Sequence, residues 1–228
     1  MIALLAWTLR WLIRGVVAGV LLCVVLMIAY RWLEPPGTPL MAIRWFEGAR
    51  IRYVHVPIAR ISPVLARGVI AAEDNRFCTH AGIDLAAVKD AIDETEETGR
   101  QRGASTITMQ LARNLFLWPG GGVFRKALEI PIALAIDLVW PKRRIIELYL
   151  NIAEWGPGVF GAEAAAAHHF QRGAHELTRS EALRLAIVLP SPRRWDPAKP
   201  TPFIQTRARI IERRIDQLGP SYFACVLG

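Results

Sequence analysis

Cysteine is scarce in this sequence: 228 residues hold three, Cys23, Cys78 and Cys225. An odd, widely spaced set excludes a disulfide-dense scaffold, and no pair has the close spacing of a metal site. Two readings fit Cys78 and Cys225, a disulfide in an oxidising compartment or two unpaired core thiols. Acidic residues are also in deficit, with 20 Asp and Glu against 28 Lys and Arg and a net charge of +8. The chain has no zinc finger, no P-loop and no basic aromatic repeat, so this charge does not read as a nucleic-acid interface. It points instead to anionic lipid or phosphate-bearing ligands. No internal repeat is present, which excludes a solenoid.

Charge is missing altogether from Gly15 to Tyr30. With Trp11, Leu12, Ile13, Trp32 and Leu33 the run reaches the roughly 20 residues of a spanning helix. Arg14 and Arg31 can snorkel at its ends, and Trp7, Trp11, Tyr30 and Trp32 suit interfacial belts. A cleavable signal peptide needs a shorter apolar core and a small-x-small site, which Ile28-Ala-Tyr-Arg-Trp-Leu33 does not offer, and a buried core helix is a third reading that so long an uncharged run argues against. Residues 1–33 therefore read as a short N-terminal segment and an uncleaved anchor. Arg10 and Arg14 precede the run and no acid precedes Glu34, which puts the N-terminus in the cytoplasm and the rest outside.

Glu34-Pro-Pro-Gly-Thr-Pro39 reads as a stiff linker. Residues 34–56 are expected to hold it and a short hairpin, Arg44 to Val56, turning at Glu47-Gly48. Residues 57–228 read as one mainly helical domain. Ile58, Ile61, Leu65, Val69 and Ala72 fall on one helical face leading to Glu73. Asp84 is placed to N-cap a helix, Asp93 to Arg102 reads as a charged loop, and a further helix starts near Ser105 or Thr106. Arg125 to Val139 is helical and Pro131 should kink it. Pro141 opens another helix, Gly161 to Phe170 is alanine-rich, Thr178 and Glu181 form a capping box, and Thr201-Pro202 starts a helix that Gly219-Pro220 ends.

Three clusters carry candidate chemistry. Glu73 ends an apolar helix face, where a carboxylate can have a raised pKa and serve as a general base; it also fits an ordinary helix C-terminal acid. Asp74 and His80 can bond each other or loop amides, and Phe77 reads as a core anchor. Ser105, Thr106, Thr108, Gln110, Arg113 and Asn114 gather hydroxyls, amides and a cation at a helix start, which suits an anion as well as a capped surface helix. Arg125 and Lys126 open a helix against its macrodipole, which makes sense with an anion between them, and Glu129 follows one turn later. The greasy run of Phe116, Leu117, Trp118 and Phe124 fits membrane contact or core packing. No residues show the spacing of a dedicated metal site.

Five blocks in order carry a resemblance: Glu73-Asp-Asn-Arg-Phe-Cys-Thr-His-Ala-Gly-Ile-Asp84, Gly103 to Asn114, Arg125-Lys-Ala-Leu-Glu129, Lys142-Arg-Arg-Ile-Ile-Glu-Leu-Tyr-Leu-Asn151 with Gly158 to Ala165, and Glu181 to Pro192. Together the chain resembles the monofunctional biosynthetic peptidoglycan transglycosylases, stand-alone relatives of the glycosyltransferase module of bifunctional penicillin-binding proteins. The resemblance implies a lysozyme-like, mostly helical domain on one N-terminal transmembrane helix, its smaller jaw against the inner membrane and its catalytic part in the periplasm. It implies polymerisation of lipid II with release of undecaprenyl pyrophosphate and inversion at the anomeric carbon. Glu73 would be the general base and Glu129 a second catalytic glutamate. Ser105, Thr106, Gln110, Arg113, Asn114, Arg125 and Lys126 would bind substrate, with Asp74, Phe77 and His80 structural beside them. No cofactor is required, although a divalent cation, Mg or Mn, can assist at the pyrophosphate. Partners would be lipid II, the growing strand, the membrane and division or elongation proteins, without nucleic acid. The chain departs from the family pattern in Ala104 for glycine, Met109 for glutamine and Arg113 for lysine. A lysozyme-like hydrolase or lytic transglycosylase, and an inactive cell-wall scaffold, are the competing functions.

Overall fold

The uncharged N-terminal run forms one helix, α1 (Ile2–Tyr30). In the computed structural model residues 2–99 and 103–227 are described, and they fall into two units, one ending at Pro35 and one starting at Pro36. Among the described residues α1 is the one helix long and apolar enough to cross a membrane, with 27 residues from Leu4 to Tyr30 and a mean hydropathy of 2.7. At 1.5 Å per residue that segment is about 40 Å long, more than the hydrocarbon core requires.

The second unit is mainly helical. It begins with α2 (Pro39–Phe46), where the expected hairpin is corrected: Thr38 accepts from the Met41 amide and Pro39 sits at the first helical position. That cap signal starts a helix, and a short apolar run cannot by itself tell a strand from a helix. The Arg44 guanidinium then grips Glu154 at 3.1 Å. Within residues 44–56 just Arg52–Tyr53 is strand, β1, which pairs in parallel with β3 (Val159–Phe160), itself paired antiparallel with β2 (Glu154–Gly156). Asn151 holds the chain that follows β1, accepting from the Val56 amide and donating to its carbonyl, both at 2.9 Å.

A 3₁₀ turn at Ile58–Arg60 precedes α3 (Pro63–Glu73), so the expected continuous face is split at Ser62-Pro63. Helix α4 (Leu85–Thr98) is capped by Asp84 and closes on Gly99 in the left-handed region. The charged loop expected from Asp93 is thus helical as far as Thr98, and residues 100–102 lie outside the described residues. The run does not break a helix that is well capped at both ends, and the Thr95 and Thr98 hydroxyls donate back to the carbonyls of Ala91 and Glu94 at 2.7 Å. Next come α5 (Ile107–Phe116), α6 (Gly122–Val139) and α7 (Lys142–Ile152). Helix α6 starts three residues before Arg125 and runs through Pro131, which lies on its exposed side.

The remaining helices are α8 (Ala162–Phe170), α9 (Arg179–Val188), α10 (Pro202–Tyr222) and α11 (Ala224–Leu227). The capping box of Thr178 and Glu181 is present, Thr201 caps α10, and Gly219 interrupts α10 with φ 74° and ψ 165°. Helix α3 packs on α9 and α10, while α5 packs on α6 and α7. A Cβ on Gly68 would already lie 3.2 Å from the Ala186 side chain, which shows how closely α3 approaches α9. Cys78 and Cys225 form a disulfide that ties the loop after Glu73 to α11; Cys23 is free.

Candidate active site

The loop after α3 decides where Glu73 points. Asp74 is the C-cap of α3, and its carboxylate accepts from the Ile107 amide at 2.9 Å and from His80 Nε2 at 3.0 Å. One buried carboxylate thereby joins the end of α3 to the start of α5. Thr106 caps α5, accepting from the Met109 amide at 3.1 Å while donating to the Gly82 carbonyl at 2.6 Å. Both functions of its hydroxyl are engaged in the fold. Gly82 takes φ +80°, and a Cβ there would lie 2.6 Å from the Ala133 carbonyl oxygen, so only glycine lets the loop cross α6 this closely. Phe77 is fully buried beneath the Lys142 ammonium, 4.8 Å above its ring, and Lys142 also donates to the His80 carbonyl at 2.7 Å.

Glu73 is half-buried in a cavity of about 160 Å³ that it shares with Asp74, Asn75, Ser105, Thr106 and Arg214. Gln110 Nε2 donates to Glu73 Oε2 at 3.1 Å. Burial pushes the Glu73 carboxyl above the usual carboxylate range; Asp74 adds to this, and the Gln110 amide, Arg207 and Arg113 offset part of it. A carboxylate shifted up but supported by a donor is suited to taking a proton.

At the other end of α5 lies a second cavity of about 200 Å³ whose walls include Arg44, Arg113, Asn114 and Arg125. Arg113 Nε donates to Asn114 Oδ1 at 3.5 Å, and among the described residues it has no carboxylate partner. Arg125 pairs with the buried Glu129 one turn along α6. Burial lowers the Arg125 pKa from its ordinary value, and the Arg113 charge lowers it further. Two guanidiniums that disfavour one another are a place where an anion is welcome.

The structure separates residues that the blocks group together. Lys126 is exposed and does not line the Arg125 cavity; it borders an apolar groove of about 690 Å³ between α4 and α6. Met109 lies buried in the wall of that groove. The residue that meets Glu73 is Gln110, so a glutamine at position 109 would face the groove instead.

Other residues at the site are not among the sequence candidates. Arg207 and Arg214 of α10 face Glu73 and its cavity, Arg214 donating to the Ala71 carbonyl at 3.3 Å. Cations seven residues apart beside the apolar stripe of Ile204, Ile211 and Ile215 are the pattern that points to them. Tyr149 comes from α7, inside the fourth block but with no role assigned by it, and Arg44 comes from α2, where nothing nearby marks it.

Known proteins bear on this arrangement. The family profile described as Transglycosylase matches residues 41–216. The chain is 55% identical over 193 residues to a biosynthetic peptidoglycan transglycosylase of Rhodospirillum centenum, covering 84% of each chain. It is 48% identical over 206 residues to one of Pseudomonas putida, covering 87% of each. It is 52% identical over 186 residues to one of Rhodopseudomonas palustris, covering 81% of this chain and 82% of that one. Matched along most of its length by the family profile and by these relatives, this helical chain belongs to the transglycosylase family.

Proposed function

We propose that this enzyme is a peptidoglycan glycosyltransferase that polymerises lipid II and releases undecaprenyl pyrophosphate. The observation that carries this reading is the span of α5. Gln110 on this helix holds Glu73, and Arg113, three residues on, lines the cationic cavity. Three residues rise about 4.5 Å along a helix, so a sugar ring can face the carboxylate while its pyrophosphate meets the guanidiniums. A hydrolase of the finished glycan has no pyrophosphate to neutralise.

In this reading Glu73 removes the proton from the 4-hydroxyl of the acceptor sugar. The freed oxygen attacks the anomeric carbon of the growing strand from the face opposite the pyrophosphate. The anomeric C–O bond to the leaving group breaks, the pyrophosphate takes that electron pair, and the centre inverts. Arg113 and Arg125 meet the developing charge, and Glu129 keeps the Arg125 fork in place. Ser105, in the wall of the Glu73 cavity, is a sugar contact. Lys126 stands where head group gives way to lipid. Among the described residues no three His, Cys, Asp or Glu side chains gather as a metal-ligand set.

The membrane side of the proposal rests on α1 and on the outward stripe of α6. Val123, Phe124 and Leu138 are 86%, 70% and 88% exposed, and Trp118 is 44% exposed, whereas Leu117 is buried. Trp118 and Phe124 therefore join the lipid surface, while Leu117 belongs to the core. The Cys78–Cys225 disulfide supports an extracytoplasmic domain on an inner-membrane anchor. The part of the tryptophan fluorescence lost in Trp118→Phe is expected to be quenched by shallow lipid-attached quenchers in vesicles. An unquenched Trp118 component would reject the contact.

Purified full-length protein is expected to convert lipid II into longer glycan with stoichiometric release of undecaprenyl pyrophosphate. Cleavage of isolated sacculi with no consumption of lipid II would overturn the reading in favour of a hydrolase.

A further inference from the structure

The support behind Glu73 extends one residue past Gln110. Tyr149, on the inner face of α7, is 1% exposed. Its hydroxyl donates to Gln110 Oε1 at 2.9 Å, while Gln110 Nε2 donates to Glu73 Oε2 at 3.1 Å. Among the described residues the Gln110 side chain has no other hydrogen-bond partner. A side-chain amide has a donor end and an acceptor end of nearly equal shape, and only the donor end supports a carboxylate. Nothing in Gln110 itself selects between them.

We propose that Tyr149 is a positioning residue for glycosyl transfer: its hydroxyl holds the carbonyl end of Gln110, and so keeps the amide NH₂ on the Glu73 carboxylate. The inference rests on the reading of Glu73 as general base. Burial, reinforced by the Glu73 charge, holds the Tyr149 phenol well above its ordinary range, so the group remains an O–H donor. The other groups facing Glu73 act by charge alone. Arg207 from α10 and Arg113 from α5 favour the carboxylate, and Asp74 disfavours it. Arg76, Asp84, Asp90 and Arg214 line the same cavity. None of them bonds to Gln110, so none fixes its orientation.

Without the Tyr149 hydroxyl the amide is free to turn its oxygen toward Glu73, which repels a carboxylate and accepts from a protonated acid. A carbon-NMR titration of the Glu73 carboxyl in the full-length, detergent-solubilised protein tests this. In Tyr149→Phe the midpoint is expected to rise by about half to one pH unit, and the acid limb of kcat/KM for lipid II polymerisation should rise with it. One unit below the wild-type midpoint, that costs about three- to tenfold in kcat/KM, a loss that shrinks as pH rises. Gln110→Leu should raise the midpoint at least as far, and adding Tyr149→Phe to it should change nothing more.

A folded Tyr149→Phe with an unmoved NMR midpoint, or fully additive effects in the double variant, overturns the proposal. A midpoint that moves while the rate limb stays put supports the relay and overturns Glu73 as the base. Should Tyr149→Phe fail to fold, the Gln110 amide of the wild type decides: NOEs from its NH₂ protons to the Glu73 methylenes support the relay, and NOEs from them to the Tyr149 ring instead overturn it.

Discussion

Glu73→Gln is expected to lower lipid II polymerisation about 10²- to 10⁴-fold, the usual contribution of a positioned general base. The substitution keeps the shape of the side chain and its place at the end of α3. An amide still accepts from Gln110 Nε2 but cannot take a proton from the acceptor hydroxyl. Lipid II binding, measured by co-sedimentation with vesicles, should change far less than turnover, because the guanidiniums of the cationic cavity are untouched. A variant that polymerises as fast as wild type would show that Glu73 is not the base.

The same substitution has a thermodynamic signature. Burial raises the folded-state pKa of Glu73 above its unfolded value, so between the two values the folded protein holds more protons than the unfolded chain. Stability contributed by the protonated carboxyl is fully present below the unfolded pKa, about 4.3, and is lost as pH rises through the higher folded value. Glutamine carries no such dependence. Glu73→Gln should therefore be more stable than wild type at neutral pH, with the gap closing as pH falls through this window. Chemical denaturation of both proteins across that range measures the gap, and its absence would mean that the carboxyl is not desolvated. The expected pattern, less active and more stable, is that of a group placed for chemistry at a cost to the fold.

Breaking the Cys78–Cys225 bond should have the largest effect on stability. The two cysteines are 147 residues apart, so the bond closes most of the second unit into one loop. In chain-entropy terms such a cross-link contributes about 2–5 kcal/mol, which corresponds to a fall in Tm of about 5–15 °C for a domain of this size. The bond also acts locally. It joins α11 to the loop between Asp74 and His80, where Tyr222 additionally donates to the Asn75 carbonyl at 2.8 Å. Reductant should lower the Tm of wild type and leave a Cys78→Ser/Cys225→Ser double variant unchanged, the variant melting where reduced wild type does. Equal melting of oxidised and reduced wild type would sink the prediction.

Much of this molecule is legible locally. Asp84, Thr178 with Glu181, and Thr201 with Pro202 each announce a helix start, and the structure places a cap at each. A cap bonds an amide two or three residues away, so its whole mechanism lies within one short segment. The hairpin expected between Arg44 and Val56 illustrates the opposite case. Its first residues join a helix that starts outside the segment, at Thr38-Pro39, and only Arg52 and Tyr53 are strand, because β3 takes them. The site residues divide in the same way. Thr106 looks like a substrate ligand by its block, yet its hydroxyl is bound at both ends to the fold. Lys126 looks like a partner of Arg125, yet adjacent helix positions point about 100° apart, and it borders a different cavity.

By itself the sequence determined the uncharged N-terminal helix, the starts of the main helices and the kinds of group available for chemistry, because charge, hydropathy and capping are properties of a residue and its near neighbours. Only the tertiary structure decided that Asp74 ties α3 to α5, that Cys78 meets Cys225, and that the NH₂ end of Gln110 faces Glu73. A polar group's orientation is chosen by the partner that satisfies it, and here each partner arrives from another element, 33, 147 and 39 residues away.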